Sequence, residues 1–577
     1  VIVVWDDREV PHVFADDEHD LYVAQGWLVA RHRLWQMDFQ TLAAEGRLAE
    51  VVGPAALSRD RRQRRLGMSV AMERAAEAAR ADPSAWDALE AFSKGVNAWI
   101  DGLEAGDRPL EYKILHDTPR PWSAERSVVS LRSMAEVLSL SRHDLAQSVA
   151  RDRLGRRTVE ALFPTRAPFA DPIVPDDTRW SFEPVPIPEP AASFPDPESF
   201  VDVAEPGSPD SVSVDADLEV ARRAAMASNN WAVAGSRTAS GAPILAGDPH
   251  LPLSLPSVWY EVQLHAPGID VYGVTLPGVP GVVIGFNREF AWSMTNGHSD
   301  VVDWRTIEFR DDTRNEYRYD GGWREVTWRE EPIRVRDGDT VVERVPWTHH
   351  GPVTAPTGGP AVAGWIPRDS ALRWTGHDRS SEISAVLRLD RATGLEDIDA
   401  VTRAFGVPGQ NVAFASRGGD IGIVHAGRLP VRWDEQGRYV GDGADPAFEW
   451  HGFVPPEHLP AVVDPDRGFV GSANQPPVGA SYPYWLGWSY GTWERGARIH
   501  DLLSRAEDVR PEDMLAMQDD VVSEYARVLL PALLAALDPQ LARSGTEAQV
   551  LEELRAWDGG YRADSVAPTV FDLSLIH

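Results

Sequence analysis

An α+β fold is predicted from two observations. Helical periodicity dominates the first third of the chain and its tail, and the stretch between them is, apart from one short helical pattern, a series of short alternating segments broken by Gly, Pro and Asn. Residues 1–4 and 10–15 read as short strands around a charged turn. Over residues 20–52, Leu21, Ala24, Leu28, Leu34, Met37, Leu42 and Leu48 recur at near-helical spacing. Asp16 or Asp17 can cap the start and Gly53-Pro54 ends it, which predicts a helical hairpin or one long bent helix. Further helical patterns cover residues 70–104 and 124–163. Residues 181–217 are dominated by Pro, Asp, Glu and Ser and read as an exposed spacer, followed by a short Ala/Arg-rich stretch over 218–227. Strands are then expected at 230–234, 243–246, 258–265, 271–276, 281–286 and 290–295, with hairpin-like segments through 334–346. A helix at 395–405 leads to strands at 412–415 and 421–425, and residues 498–557 return to helix.

Composition excludes several function classes. The 577 residues carry 88 acidic and 56 basic side chains, a net charge of -32, which repels phosphate backbones and argues against nucleic acid as a partner. There is no cysteine, so thiolate nucleophiles, disulfides and Cys-ligated zinc are ruled out. The only lysines are Lys94 and Lys113, and neither sits in a phosphate-binding Gly-rich loop. No apolar run is long enough for a membrane-spanning helix. The chain opens directly on a strand and stops in an apolar segment, so it is expected to be part of a longer protein.

Candidate nucleophiles are few. Gly487-Trp488-Ser489-Tyr490-Gly491 matches the serine elbow, but its flanks are an aromatic loop instead of a strand entering a helix, so Ser489 is read as a chance match. His349 and His350 are adjacent, which on a strand sends them to opposite faces; they are read as structural residues. Asp464 and Asp466 read as a solvated turn, since the ligand spacing of an EF-hand is missing. Ser228-Asn229-Asn230-Trp231 stands out because it lies where the spacer ends and the strands begin, a place where the chain could be cut without opening the core.

Several ordered motifs then resemble the penicillin acylase family of N-terminal-nucleophile amidohydrolases along nearly the whole chain. They are VPHV at 10–13, AQG at 24–26, RLWQM at 33–37, GRLAE at 46–50, SNNWAVAGSRTASGAPILAGDPHL at 228–251, and GFN with AWS at 285–293. Asn411, the segment 422–432 and Ser472-Ala473-Asn474 complete the set. The resemblance implies a four-layer αββα sandwich preceded by a largely helical region. It divides the chain into an upstream α-chain region at 1–180, a spacer at 181–227 that is removed, and a β-chain region from 228 to 577. It also implies a self-processing amidohydrolase for N-acylated small molecules of penicillin, cephalosporin or acyl-homoserine-lactone type, exported from the cytoplasm.

Ser228 is the implied nucleophile. Freed at its amine by cleavage after Ala227, a position where many relatives carry Gly, it would hold its own base, because an α-amino group has a reference pKa of about 7.7–8.0. The resemblance further implies Asn411 (side chain) and Asn296 (backbone N–H) as oxyanion donors, with His250 orienting the serine and Arg432 supporting Asn411 and the amine. Asp300, the Val302 carbonyl and Asp303 match a structural calcium segment, although the upstream Glu ligand has no counterpart in residues 140–144, LSRHD. Two other functions stay open at this stage: a serine esterase using Ser489, or a non-catalytic ligand-binding protein exploiting the 22 tryptophans.

Overall fold

The structure is a computed structural model that describes residues 1–141, 143–166, 169–187, 227–354, 369–541 and 545–576. Most of the expected spacer, and the Ala/Arg-rich stretch up to 226, lie outside the described residues. The first helix, Glu18–Glu45, is capped by Asp17, whose side chain accepts from the Asp20 N–H, and ends where Gly46 turns left-handed at φ 66°. The periodicity predicted to run on to residue 52 is therefore divided between this helix and the short helix Ala49–Val52. Asp82-Pro83 splits the second pattern into Met68–Arg80 and Pro83–Asp101, with Asp82 as N-cap and Pro83 at a position that has no hydrogen bond to lose. The third pattern becomes Ala124–Ser139, His143–Leu154 and Arg156–Leu162.

Nine strands form the large sheet. In spatial order they are Ile2–Trp5, Pro11–Phe14, Tyr260–Ala266, Ile269–Thr275, Ile284–Phe286, Phe290–Asn296, Gln410–Ser416, Ile421–Ala426 and Ala461–Val463. All neighbours are antiparallel except Pro11–Phe14 beside Tyr260–Ala266. The two N-terminal strands thus complete a sheet whose other members lie beyond the spacer. A smaller sheet runs Phe469–Ser472, Ala227–Val233, Ile244–His250, antiparallel throughout.

Side-chain alternation stacks these layers. In Gln410–Ser416, Ala413 and Ala415 pack with Ala232 and Val470 of the small sheet, while Val412 and Phe414 turn to the other face. That other face carries the main core with residues of the helices Glu18–Glu45, Pro83–Asp101, Glu382–Leu389 and Leu395–Ala404. Trp231 and Val233 point away from the inter-sheet space, against Leu503 and Met514 of the helices Trp493–Arg505 and Pro511–Gln518. Trp231, Trp292, Trp304 and Trp374 are fully buried core residues, which removes these four as stacking platforms for a ligand.

The beginning of the predicted spacer is less exposed than its composition suggests. Phe182 stacks on His458 with ring centroids 4.0 Å apart, and the Val185 N–H donates to the Tyr484 hydroxyl at 2.9 Å. Sparse apolar residues here find an aromatic surface, so the packed upstream chain continues to about residue 187.

Candidate active site

Ser228 lies at the second position of Ala227–Val233, 6% exposed. It shares a face with Asn230, whose side-chain amide donates to the carbonyls of Ser293 and Asn411 on the large sheet, so Ser228 faces the mouth of the inter-sheet space. Its hydroxyl donates to the Ala227 carbonyl oxygen at 2.5 Å. Its backbone N–H donates to Asn474 Oδ1 at 2.8 Å. Arg495 covers the same atoms: Nη2 donates to Asn474 Oδ1 at 2.9 Å, and Nη1 donates to the Ser228 carbonyl at 2.9 Å and to Asn229 Oδ1 at 2.7 Å. Burial holds the Arg495 guanidinium below its ordinary pKa, although the carboxylates of Asp248 and Glu494 oppose this.

Asn474 also donates from Nδ2 to the Asn296 carbonyl at 2.8 Å. Asn296 faces Gln410 across the sheet, and the next residue, Gly297, donates to Gly409. In an antiparallel ladder, bonded and non-bonded pairs alternate, so the Asn296 N–H and C=O both point away from that neighbour, to the side occupied by Asn474. Geometry therefore joins Ser228, Asn474, Arg495 and the Asn296 backbone. His298, close by, is held neutral by burial, its pKa lowered to about 4.

Asn411 is not brought into this group. It is fully buried in Gln410–Ser416; Nδ2 donates to Thr295 Oγ1 and Ser472 Oγ, each at 3.1 Å, and Oδ1 accepts from His425 Nδ1 at 2.6 Å. The side-chain amide is thus committed to Thr295, Ser472 and His425 and makes no hydrogen bond to Ser228. His250 also stands apart. In the hairpin, Pro249 lies opposite Ser228, while His250 lies opposite Ala227, on the face of Asn229 and Asp248. Its Nε2 is 2.6 Å from Asp248 Oδ2 and 3.3 Å from Asn229 Nδ2, so its connection to the serine runs through Asn229 and Arg495.

Arg432 is also placed elsewhere than the resemblance implied. Its Nη1 donates to Asp300 Oδ2 at 3.1 Å and Asp303 Oδ1 at 2.8 Å, and Nη2 donates to the Asp300 carbonyl. The remaining Asp303 oxygen accepts from Arg305 at 3.1 Å and from the Trp450 indole at 2.6 Å. Burial and the Asp303 charge push the Asp300 carboxyl up to about 7 against the pull of Arg432. Asp144, from the LSRHD segment, is buried nearby; its pKa is raised by burial and by the two aspartates even though it accepts from the Trp304 N–H at 2.8 Å. With a guanidinium between Asp300 and Asp303, and Asp300 Oδ2 and both Asp303 oxygens accepting hydrogen bonds, these residues as arranged do not fit a calcium ion.

Ser489 lies in irregular chain, with no strand leading to it and the next helix starting at Trp493, so the elbow geometry is missing. His349 and His350 follow the strand Val341–Thr348 in a turn instead of extending it. Strand alternation does not govern them, and their rings come within 3.8 Å of each other.

The family profile for penicillin amidase matches residues 1–576. The chain is 30% identical to penicillin acylase 2 proenzyme of Pseudomonas sp. strain SE83 over 98% of its own length and 69% of that protein's. It is 31% identical to the acyl-homoserine lactone acylase QuiP of Pseudomonas aeruginosa over 95% of its length and 64% of that protein's. The chain thus spans about two thirds of the length of these relatives. A solved structure, the thermostable penicillin G acylase from Alcaligenes faecalis, superposes with a TM-score of 0.50 at 23% identity, covering 59% of this chain and 62% of that one, and supports the likeness of fold. On this agreement of profile, sequence and fold, the chain belongs to the penicillin amidase family, hydrolases that act on carbon–nitrogen bonds in linear amides.

Proposed function

We propose that this protein is a self-processing amidohydrolase in which Ser228 first releases its own amine and then cleaves the linear amide of an N-acylated small molecule. The observation that carries this reading is the buried Ser228, with its hydroxyl against the Ala227 carbonyl and its nitrogen held by Asn474 beside Arg495. In processing, Ser228 Oγ attacks the Ala227 carbonyl carbon and the C–N bond breaks. The resulting ester is hydrolysed by water, leaving a free α-amine on Ser228. In turnover, that amine accepts the hydroxyl proton while Oγ attacks the substrate carbonyl. The proton passes to the leaving amine, and water releases the acyl group.

The negative oxygen that develops needs donors fixed in advance. The Asn296 N–H is one, by its direction in the sheet. For the side-chain donor we assign Asn474 in place of Asn411, since its amide meets the Ser228 nitrogen through Oδ1 and its Nδ2 has a second N–H besides the one given to Asn296, whereas the amide of Asn411 is committed to two hydroxyls. Arg495 takes the supporting role first expected of Arg432, and its charge beside the amine favours the neutral, proton-accepting form. Arg432 itself supplies the positive charge between Asp300 and Asp303 that a calcium ion was expected to supply.

The order helices, large sheet, small sheet, helices supports a four-layer αββα sandwich. The sharing of one sheet by strands from both sides of the spacer supports an α/β-chain pair that stays together after cleavage. Penicillins, cephalosporins and N-acyl-homoserine lactones remain the substrate classes, the first and last in keeping with the names of the relatives. Intact-mass analysis of active protein is expected to show two polypeptides, one beginning Ser-Asn-Asn-Trp, with Ser228→Ala giving one uncut and inactive chain. Full activity from uncut wild-type protein would end this reading.

A further inference from the structure

The turn after Val341–Thr348 directs two imidazoles onto a single carboxylate oxygen. His349 Nε2 is 3.0 Å and His350 Nδ1 is 3.1 Å from Glu449 Oε1. His350 is only 2% exposed, and its Nε2 lies 2.9 Å from the Gly443 carbonyl oxygen, a contact that only an N–H can make. The ring's other nitrogen, Nδ1, is buried with no hydrogen-bond partner, yet it faces a carboxylate oxygen. With the proton on Nε2, that contact sets lone pair against lone pair, which is costly in the interior unless a second proton on Nδ1 or a metal cation lies between them.

The surroundings match a metal's outer shell. His349 Nδ1 is 2.7 Å from the Tyr317 hydroxyl and His350 Nε2 is on the Gly443 carbonyl, so each ring's remaining nitrogen has an orienting partner. Ligand atoms at the corners of a tetrahedral zinc site with Zn–N of about 2.0–2.1 Å stand about 3.3 Å apart, close to the two contacts seen here. The three residues also line a cavity of about 440 Å³, together with Arg373, Trp450 and Phe453, which leaves room for a fourth ligand.

We propose that His349 Nε2, His350 Nδ1 and Glu449 Oε1 bind one Zn²⁺ whose fourth position opens to this cavity and takes water or an anionic ligand. The ion would tie the turn after Val341–Thr348 to the segment 443–453. This site is separate from the Ser228 cluster and does not depend on the acylase reading.

The test uses the full chain, stripped with EDTA and dialysed, then titrated with ZnCl₂ by calorimetry, with metal content measured by mass spectrometry. One equivalent is expected to bind. Binding should disappear in His349→Ala and in Glu449→Gln and weaken about 10–100-fold in Tyr317→Phe. Co²⁺ in place of Zn²⁺ should give the visible absorption of a four-coordinate ion. His349→Ala alters a partly exposed ring, so circular dichroism of that variant separates loss of binding from loss of fold. No uptake by wild type would overturn the proposal. So would uptake of equal affinity in both ligand variants, which would point instead to the exposed cluster Asp17, His19 and Asp20.

Discussion

At the scale of single residues, the proposed donor role passes from one asparagine to another. Asn411 is held by His425, Thr295 and Ser472 inside the sheet stack, and Asn474 is held at φ 68°, in the left-handed region that Asn tolerates, just beyond the strand Phe469–Ser472. Removing an oxyanion donor costs about 10²–10³ in kcat, so Asn474→Ala is expected to lose activity on that scale once cleaved, or to remain uncut. Asn411→Ala strands two buried hydroxyls and His425 and is expected to lose about 1–3 kcal/mol of stability with a smaller loss of kcat. Steady-state kinetics and denaturant melts on both variants check the order; a larger kcat loss in Asn411→Ala would return the donor role to that residue. The candidacy of Ser228 was legible in the sequence because its motif is continuous with the strand that carries it. The place of Asn474 beside Ser228 was not, since the motif Ser472-Ala473-Asn474 shows a residue but not the direction a left-handed turn gives it. Arg495 left no local signal, because its partners Ser228, Asn229 and Asn474 are reached only by folding.

At the scale of elements, the motifs of the upstream region build structure. Gln25 exchanges two 2.9 Å hydrogen bonds with the backbone of Gly281, fixing the long first helix to a turn of the large sheet. Gly26 lets that helix cross Pro83–Asp101 closely: a Cβ there would fall 2.1 Å from the Phe92 carbonyl oxygen, and one on Gly95 would fall 1.9 Å from that of Val23. Neither clash can be relieved by rotating a side chain, since both partners are backbone. Gly26→Ala and Gly95→Ala are each expected to cost about 1–3 kcal/mol or more through forced separation of the helices. Gly106, which has nothing within 4 Å of its Cβ position, should accept Ala with little change. Thermal melts of the three variants decide this, and Gly95→Ala melting with wild type would refute the close crossing. Helical spacing, the Asp17 cap and strand alternation were readable residue by residue, while the breaks at Gly46 and Asp82-Pro83 were not. The partition of strands between two sheets was not, because it depends on which faces meet, as with Ala413 and Ala232.

At the scale of the molecule, the interior holds titratable groups of both kinds far apart in the chain, and their effects on acid stability have opposite signs. Burial lowers His425 to about 3, while it accepts from Ser299 Oγ and donates to Asn411. An unfolded chain protonates this ring at its ordinary value near 6.5 and the folded chain does not. Its contribution is therefore fully present above pH 6.5 and is lost as pH falls toward 3. Burial raises Asp390, which accepts from the Val282 N–H, so the folded chain keeps that proton at a pH where the unfolded chain has released it, and its contribution is lost as pH rises. Because the two offset each other in wild type, the test is a difference between proteins. The stability margin of wild type over His425→Asn is expected to shrink as pH falls from 6.5 toward 4, and its margin over Asp390→Asn to grow over the same range. Urea melts at several pH values measure both margins. Two parallel, pH-independent margins would mean that neither group keeps in the folded interior a protonation state different from that of the unfolded chain, and the burial argument for both would fail.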